Sequence, residues 1–447
     1  MDQELMSPTS AGSAPPTGAP EGEPGVAPLP PAGMTLLQRL FSAYPGSMGL
    51  RLGHWSARLG RHAQQPPEFT LVLNEPTALR RLLLGRDPLR FAEAYFTQQI
   101  DVEGDFFAAL QLKDHLPELT LSWSDRLRLA VRLLAPPPGA VDADLRSSGV
   151  RRHTRAENKA AIAFHYDLSN DFYALWLDPA MVYSCAYYES AETSLAQAQW
   201  SKLDHICRKL RLQPGEELLD IGCGWGALVL HAARHYGVKA VGITLSERQL
   251  ALARERIEAA GLQAQVEVRL CDYRDMGGQF DKISSVGMFE HVGLKNLPTY
   301  FNSVHRLLKP AGLFLNHGIT HEEDGWGQDT LSSRFINRYV FPDGELDRAS
   351  NVMRVMEQER FELHDVESLR MHYARTLRAW VARLEEGHDQ ALQYVDEAHY
   401  RIWRLYMAAS ALEFETGELG LYQILASRRD GGPAPVPLTR RYMYEPR

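Results

Sequence analysis

The sequence predicts an α/β protein, with a doubly wound sheet over residues 157–430 and a smaller α+β domain at 34–140. Three observations carry this. Between 217 and 319, short apolar runs alternate with helix-length amphipathic segments, the order that a sheet with crossover helices requires. The first of those runs passes directly into a glycine-rich turn and then a helix. Upstream, Pro136-Pro137-Pro138-Gly139 interrupts the chain, because consecutive prolines cannot continue a helix.

The 447 residues leave room for two globular domains and a tail. Residues 1–33 are Pro, Gly, Ala and Ser with few large apolar side chains, too little buried surface to offset the ordering entropy, and they are expected to be disordered. From Met34 the pattern suggests a short amphipathic helix ending near Pro45, then a strand-like stretch to Arg61. Phe69–Leu73 reads as a strand, and Asn74-Glu75-Pro76 as a turn into the helix TALRRLLLG. Helical periodicity continues through Asp105–Leu112 and Arg126–Leu134. The polar, basic stretch 141–156 is expected to be a linker, with the domain boundary near 145, and 431–447 a C-terminal tail. Buried strands are expected at 217–222, 239–244, 266–271, 280–287 and 312–319. The helices ALVLHAARHYG and ERQLALARERIEAAGL fall between the first three.

Composition narrows the function. Hydrophobic residues at 45% and charged residues at 23% are ordinary for a globular protein. No apolar run approaches the length of a membrane-spanning helix, and MDQELMSPTS has neither the basic start nor the apolar core of a secretory signal, so the cytoplasm is the expected compartment. A net charge of −8 argues against general nucleic-acid binding. Cys185, Cys207, Cys223 and Cys271 form no Cys-x-x-Cys pair and no His cluster has zinc-ligand spacing, so neither a disulfide framework nor a metal is expected. The basic run Arg146, Arg151, Arg152 and Arg155 reads either as a solvated linker surface or as a patch for anionic lipid, where each charge adds about 1 kcal/mol.

The strongest local signal is Leu218-Leu219-Asp220-Ile221-Gly222-Cys223-Gly224-Trp225-Gly226. Gly222 and Gly224 permit positive φ and close approach of a ligand, and Gly226 permits tight helix packing. A dinucleotide fingerprint would place the third glycine one residue later and holds no acid within the motif. Asp220 suits a cationic methionyl group better than a pyrophosphate. The motif resembles Asp-x-Gly-x-Gly-x-Gly of class I methyltransferases, a Rossmann-like fold; the competing reading is a strand–turn–helix corner that uses glycine for packing. In that fold Asp272 would lie beside an adenine and Tyr273 would flank it. At the end of the second strand, where a ribose-binding carboxylate is usual, stand Thr244, Ser246 and Gln249, which can also hydrogen-bond a nucleoside.

That departure resembles the cyclopropane-fatty-acid and mycolic-acid cyclopropane synthases. So do the segments Phe164–Tyr173, Leu177-Asp178-Pro179, Tyr183–Tyr188, Met288–Gly293 with Asn296 and Tyr300-Phe301, Asn337–Phe341 with Pro342, and Tyr373–Leu377 with Trp380. The likeness covers 157–429 strongly and 69–112 weakly, through Tyr95, Asp101, Phe106 and Phe107. It implies S-adenosylmethionine covered by Tyr183 and Ser184 and cradled by 218–226 and 244–249. It also implies a bicarbonate held near Cys185, Glu290, His317, Ile319 and Tyr373. It further implies a sterol-carrier-like N-terminal domain, an unsaturated phospholipid as methyl acceptor at a membrane surface met peripherally, and a homodimer. Asn316 and Gly318, flanking His317, depart from the family pattern.

The implied chemistry is methyl transfer to a cis double bond, followed by loss of a proton to close a cyclopropane ring. An alkene is a weak nucleophile that must be aligned with the S–CH₃ bond, and the carbocation that follows must be kept from water. Aromatic faces can stabilise that charge; Phe164, Tyr166, Phe172, Tyr173, Tyr187 and Tyr188 are candidates, weighed against plain core packing. The base is a bicarbonate held by Glu290, His317 and Tyr373, or Glu290 itself. A Cys185 thiolate would compete with the alkene for the methyl group, so backbone contact is its expected role. Two competing readings remain: a relative giving a methyl-branched chain or methylating another hydrophobic acceptor, and a lipid-binding protein with a vestigial cofactor fold. Asp220 and the three intact glycines count against the second.

Overall fold

In the computed structural model, which describes residues 27–28, 37–38, 41–75, 88–115, 168–322, 339–340 and 345–445, the chain forms two compact units. One comprises Met1–Leu79 with Asp101–Leu134, the other Arg80–Ile100 with Ala135–Arg447. The division is interleaved, not the single boundary near 145 that the sequence suggested. The reason lies in helix α1 (Pro88–Phe96), which belongs to the second unit. There Arg401 donates to the carbonyls of Tyr95 and Ile100 at 3.3 and 3.4 Å, and Arg404 donates to the Tyr95 hydroxyl at 3.0 Å.

The first unit is α+β. Strands β1 (Ala27–Pro28), β2 (Met48–Leu52), β3 (Trp55–Leu59), β4 (Phe69–Leu73) and β5 (Ile100–Gly104) form one sheet in the order β1-β3-β2-β4-β5. Helix α2 (Phe106–His115) packs on β4, burying Phe106, Ala109 and Leu112. Strand β1 falls within the tail expected to be disordered; it is a two-residue parallel pairing with β3, made through backbone groups that any side chain allows. The rest of that tail, the helices expected at 77–85 and 126–134, and the linker with its basic run lie outside the described residues.

The second unit holds a seven-stranded sheet. Strands β6 (Glu217–Ile221), β7 (Lys239–Thr244), β8 (Val266–Leu270), β9 (Phe280–Val286) and β10 (Leu308–His321) run parallel in the order β10-β9-β6-β7-β8. These are the five runs read from the sequence. The interiors of β6, β7, β9 and β10 are largely buried because crossover helices cover both faces, whereas the edge strand β8 buries only Val266 and Val268. Helices α3 (Asn170–Trp176), α4 (Leu195–Lys209), α5 (Ala227–Tyr236), α6 (Glu247–Ala259), α7 (Leu297–Leu307) and α8 (Ala349–Gln358) accompany them. Two further strands, β11 (Phe361–Ser368) and β12 (Leu419–Arg428), extend the sheet antiparallel beyond β10. Between them run α9 (Arg370–Glu386), the short α10 (His388–Ala391) and α11 (Glu397–Thr416).

Residues 431–447, expected as a tail, include helix α12 (Arg441–Tyr444). Met443 is buried against α4, its carbonyl lies 3.3 Å from His205 Nδ1, and Arg440 pairs with the buried Asp365. Arg211 also donates to the Pro435 carbonyl and lies over the Tyr442 ring, so the segment is docked along its length.

Candidate active site

The C-terminal ends of β6, β7 and β9 open into a cleft, the crevice where ligands of parallel α/β sheets sit. Gly222 (φ +81°) and Gly224 (φ +53°) turn the chain out of β6, and a Cβ on Gly224 would meet open space, so the turn's backbone faces the cleft without a side chain. Gly226 does not line the cleft; it caps α5 in the left-handed conformation, where a Cβ would stand 3.3 Å from Ala253 Cβ. Asp220 closes the floor. Ser284 Oγ donates to it at 2.8 Å, and burial pushes its carboxyl up to about 6.

At the end of β7, Thr244 donates to Gln249 Oε1 at 2.7 Å, and both line the cleft. Ser246 does not: its hydroxyl accepts from Gln249 N and caps α6. Asp272 and Tyr273 lie at the far wall. Asp272 already accepts from Arg274 at 2.8 and 2.5 Å, and Tyr273 sits edge-on to Tyr300.

The near wall is the loop after α3. Asp178 accepts from Ala180 N and Val182 N, both at 2.9 Å, which shapes the Leu177-Asp178-Pro179 corner. Arg256 of α6 donates to the carbonyls of Ala180 and Trp225, tying this loop to the glycine turn. Gln199 of α4 donates to the carbonyl of Ser184 at 2.8 Å and Lys202 donates to its hydroxyl at 2.8 Å. Tyr183 and Ser184 are thereby held over the cleft.

A second cavity adjoins the first and shares Tyr183, Ser184, Gly287 and His291 with it. All five residues expected around a bound anion line it: Cys185, Glu290, His317, Ile319 and Tyr373. Glu290, on a 3-10 turn at Phe289–His291, accepts from Ile319 N at 2.7 Å through Oε1, while Oε2 is buried without a protein partner. Burial pushes its carboxyl up to about 7. His317, in the middle of β10, takes the amide of Gln423 on Nδ1 at 3.2 Å, and its Nε2 is also buried without a partner. Burial holds its imidazole well below the usual range, so it is neutral. With Nδ1 accepting, the ring proton sits on Nε2. Burial pushes the Cys185 thiol far up, and its Sγ faces the Leu369 carbonyl.

Packing constrains the residue after His317. A Cβ on Gly318 would stand 2.0 Å from the Phe289 ring, so glycine is what lets the Glu290 turn lie against β10.

The rest of the second cavity is apolar, with Leu346, Leu377, Leu419 and Leu421, and the aromatic rings are Tyr183, Tyr373, Tyr406 and Phe414. The aromatics expected there are elsewhere. Phe172 and Tyr173 are core, packed with Trp176 and Trp403. Tyr187 is stacked between His205 and His372, and Tyr188 lies under Arg375. Phe164 and Tyr166 lie outside the described residues. Tyr406, Ser410 and Phe414 were overlooked, although their i, i+4, i+8 spacing marks one face of α11. Lys202 and His291 were overlooked too. Only Lys202 carried a signal, a lysine set on the apolar face of α4 between Ala198 and Ile206.

A family model described as mycolic acid cyclopropane synthetase matches residues 153–424. The chain belongs to this family. Its second unit has the class I S-adenosylmethionine-dependent methyltransferase fold, as in the cyclopropane synthases of known structure. Among curated relatives, a probable fatty acid methyltransferase of Pseudomonas putida is 42% identical over 382 residues, 85% of this chain and 92% of its own length. The cyclopropane-fatty-acyl-phospholipid synthase of Escherichia coli is 41% identical over 287 residues, 64% of this chain and 72% of its own. Among solved structures, the mycolic acid cyclopropane synthase CmaA1 complexed with SAH and CTAB superposes with a TM-score of 0.58 at 34% identity, covering 60% of this chain and 98% of that one. The family is thus one of lipid-modifying methyltransferases, and no helix among the described residues is long and apolar enough to cross a membrane.

Proposed function

We propose that the enzyme transfers a methylene group from S-adenosylmethionine to the cis double bond of an unsaturated phospholipid acyl chain and closes a cyclopropane ring. The observation that carries this is the pairing of cavities: a glycine-turned cleft with a buried acid shares a wall with an apolar, aromatic chamber holding two unpartnered polar atoms. Bound in the cleft, S-adenosylmethionine supplies an electrophilic sulfonium methyl group. Asp220 attracts its cationic end, and Thr244, Gln249, Asp272 and Tyr273 receive the nucleoside. Tyr183 and Ser184 cover it and separate it from water. The leucines of the chamber hold the acyl chain so that its double bond faces the methyl group, and alignment of this kind contributes about 7–11 kcal/mol. Tyr183, Tyr373, Tyr406 and Phe414 surround the carbon that becomes positive.

Ring closure needs a base beside that carbon. Glu290 Oε2, when protonated, and His317 Nε2–H are both donors without partners, and two neutral donors suit a small monoanion. Bicarbonate held by them, with Tyr373 and the backbone at Cys185, supplies the general base, and Ile319 N–H holds the Glu290 carboxyl in place for it.

The test is to incubate the protein with S-adenosylmethionine and vesicles of unsaturated phospholipid, beside Glu290→Gln. A gain of one CH₂ (about 14 mass units) with loss of olefinic and appearance of cyclopropane proton signals supports ring formation. A second reading is favoured by the Pseudomonas putida relative, whose alignment spans more of this chain than the Escherichia coli enzyme: methyl transfer without ring closure. In that case the product retains or acquires olefinic signals.

Contact with the bilayer is assigned to the N-terminal unit and is peripheral. Hydrogen exchange with and without vesicles checks this. Protection at 41–75 and 101–115 is expected, and protection confined to the second unit would refute it.

A further inference from the structure

Helix α4 carries two lysines into the interior, and their surroundings differ. Lys209 is fully buried and bridges Asp365 at 3.0 Å and Glu367 at 2.6 Å, the ordinary compensation for a buried ammonium. Lys202 is 2% exposed and lines the donor cleft. Among the described residues its one hydrogen bond runs from Nζ to Ser184 Oγ at 2.8 Å, and no carboxylate lies within ion-pair distance. An ammonium has three N–H donors, so two of them and a full positive charge remain for whatever fills the cleft. Asp220 lines the same cleft, with Ser284 Oγ as its side-chain donor. The two charges are not paired with each other. A buried cation and a buried anion held apart in one cleft are complementary to a zwitterion, and the α-amino acid end of S-adenosylmethionine is one.

We propose that Lys202 binds the carboxylate of the donor's methionyl group, with Asp220 receiving its ammonium. This rests on the assignment of the cleft to S-adenosylmethionine. Burial pushes Lys202 down to about 8 and Asp220 up to about 6, so each is held at a cost that the opposite charge of a bound amino acid removes. Because Lys202 also holds the Ser184 hydroxyl, the same contact fixes the covering loop when the donor is in place.

The competing explanation is that Lys202 only braces that loop. Calorimetric binding of three ligands separates the two: S-adenosylmethionine, its decarboxylated analogue, and 5′-methylthioadenosine, which lacks the amino-acid end. The wild-type chain is expected to bind S-adenosylmethionine roughly ten- to a hundredfold more tightly than the decarboxylated analogue. In Lys202→Met that preference collapses, while methylthioadenosine, which has no carboxylate, weakens far less than S-adenosylmethionine. Equal weakening of all three ligands, or a preference that survives the substitution, overturns the proposal. Should circular dichroism show that Lys202→Met does not fold, Lys202→Gln, which still donates to Ser184, takes its place with the same two outcomes. Failure of the wild type to bind any of the three overturns the assignment of the cleft itself.

Discussion

Gly318→Ala puts the geometry of the second cavity to a direct test. The added Cβ would fall 2.0 Å from Phe289 Cε1 and 2.4 Å from Cδ1, against the ~3.5–4.0 Å of an ordinary carbon contact. About 1.5 Å must therefore be found. β10 is hydrogen-bonded on both sides and cannot supply it. Phe289 is packed in a cluster with Val292, Tyr300 and Phe301, so its ring cannot swing clear. The turn that carries Glu290 must move instead. Overpacking of this kind costs about 1–3 kcal/mol, a fall of roughly 1–4 °C in Tm for a unit as large as the second. A displacement of the order of 1 Å at the reacting centre costs about a hundredfold in turnover, while donor binding, organised from β6 and β7, changes far less. Thermal melting, turnover on unsaturated vesicles and calorimetric donor affinity read the three effects. Adding Phe289→Leu should return part of the lost activity by making room for the methyl group. A Gly318→Ala protein that melts and turns over like wild type would refute the reasoning.

Three other outcomes are expected. The Glu290 carboxyl is raised from 4.5 to about 7, chiefly by burial, so the folded state holds a proton that the unfolded chain releases in that window; its contribution to stability therefore declines as pH rises from about 5 to 8, by on the order of 3 kcal/mol. Urea melts of Glu290→Gln and wild type at both pH values check this: the variant's stability relative to wild type should improve at pH 8, and a constant difference would contradict it. Cys185→Ala should lose much less than the 10²–10⁴-fold that removal of a general base costs, because the thiol stays protonated and is no nucleophile; a loss of that full size in steady-state turnover would restore Cys185 to the chemistry. Ser246→Ala removes the cap of α6 and should cost about 1 kcal/mol in denaturant melts, with donor affinity little altered; a large fall in affinity with no fall in stability would place the hydroxyl on the nucleoside.

The parallel half of the sheet was legible because each strand is a buried apolar run followed by a glycine or a helix cap, and such signals are local. β11 and β12 were not read. FELHDVES is half-exposed and mixed in polarity, and its pairing partner lies about fifty residues on, beyond three helices, so nothing within a short window marks it as a strand. The cluster at the second cavity was legible only through family likeness: Cys185, Glu290, His317 and Tyr373 come from four separate elements, and no spacing unites them. Geometry then added what likeness had not, the partnerless Oε2 and Nε2 atoms and the clash that demands Gly318. Phe172, Tyr173, Tyr187 and Tyr188 lie outside the second cavity, and for the first two the reason is physical. Phe172 and Tyr173 lie on a helix whose whole apolar face is core, and composition alone cannot tell a ring that lines a chamber from one that fills it.

Tyr183 and Ser184 line both cavities, so on the proposed reading the same two residues touch the methyl donor and the acyl chain. Two ligands that share wall residues are thermodynamically linked wherever one changes the other's affinity. If a lipid in the chamber tightens the hold on the donor by some factor, the donor must tighten the hold on the lipid by the same factor. Affinities measured for either alone are therefore lower or upper bounds, and the quantity that describes the working enzyme is the coupling between the two.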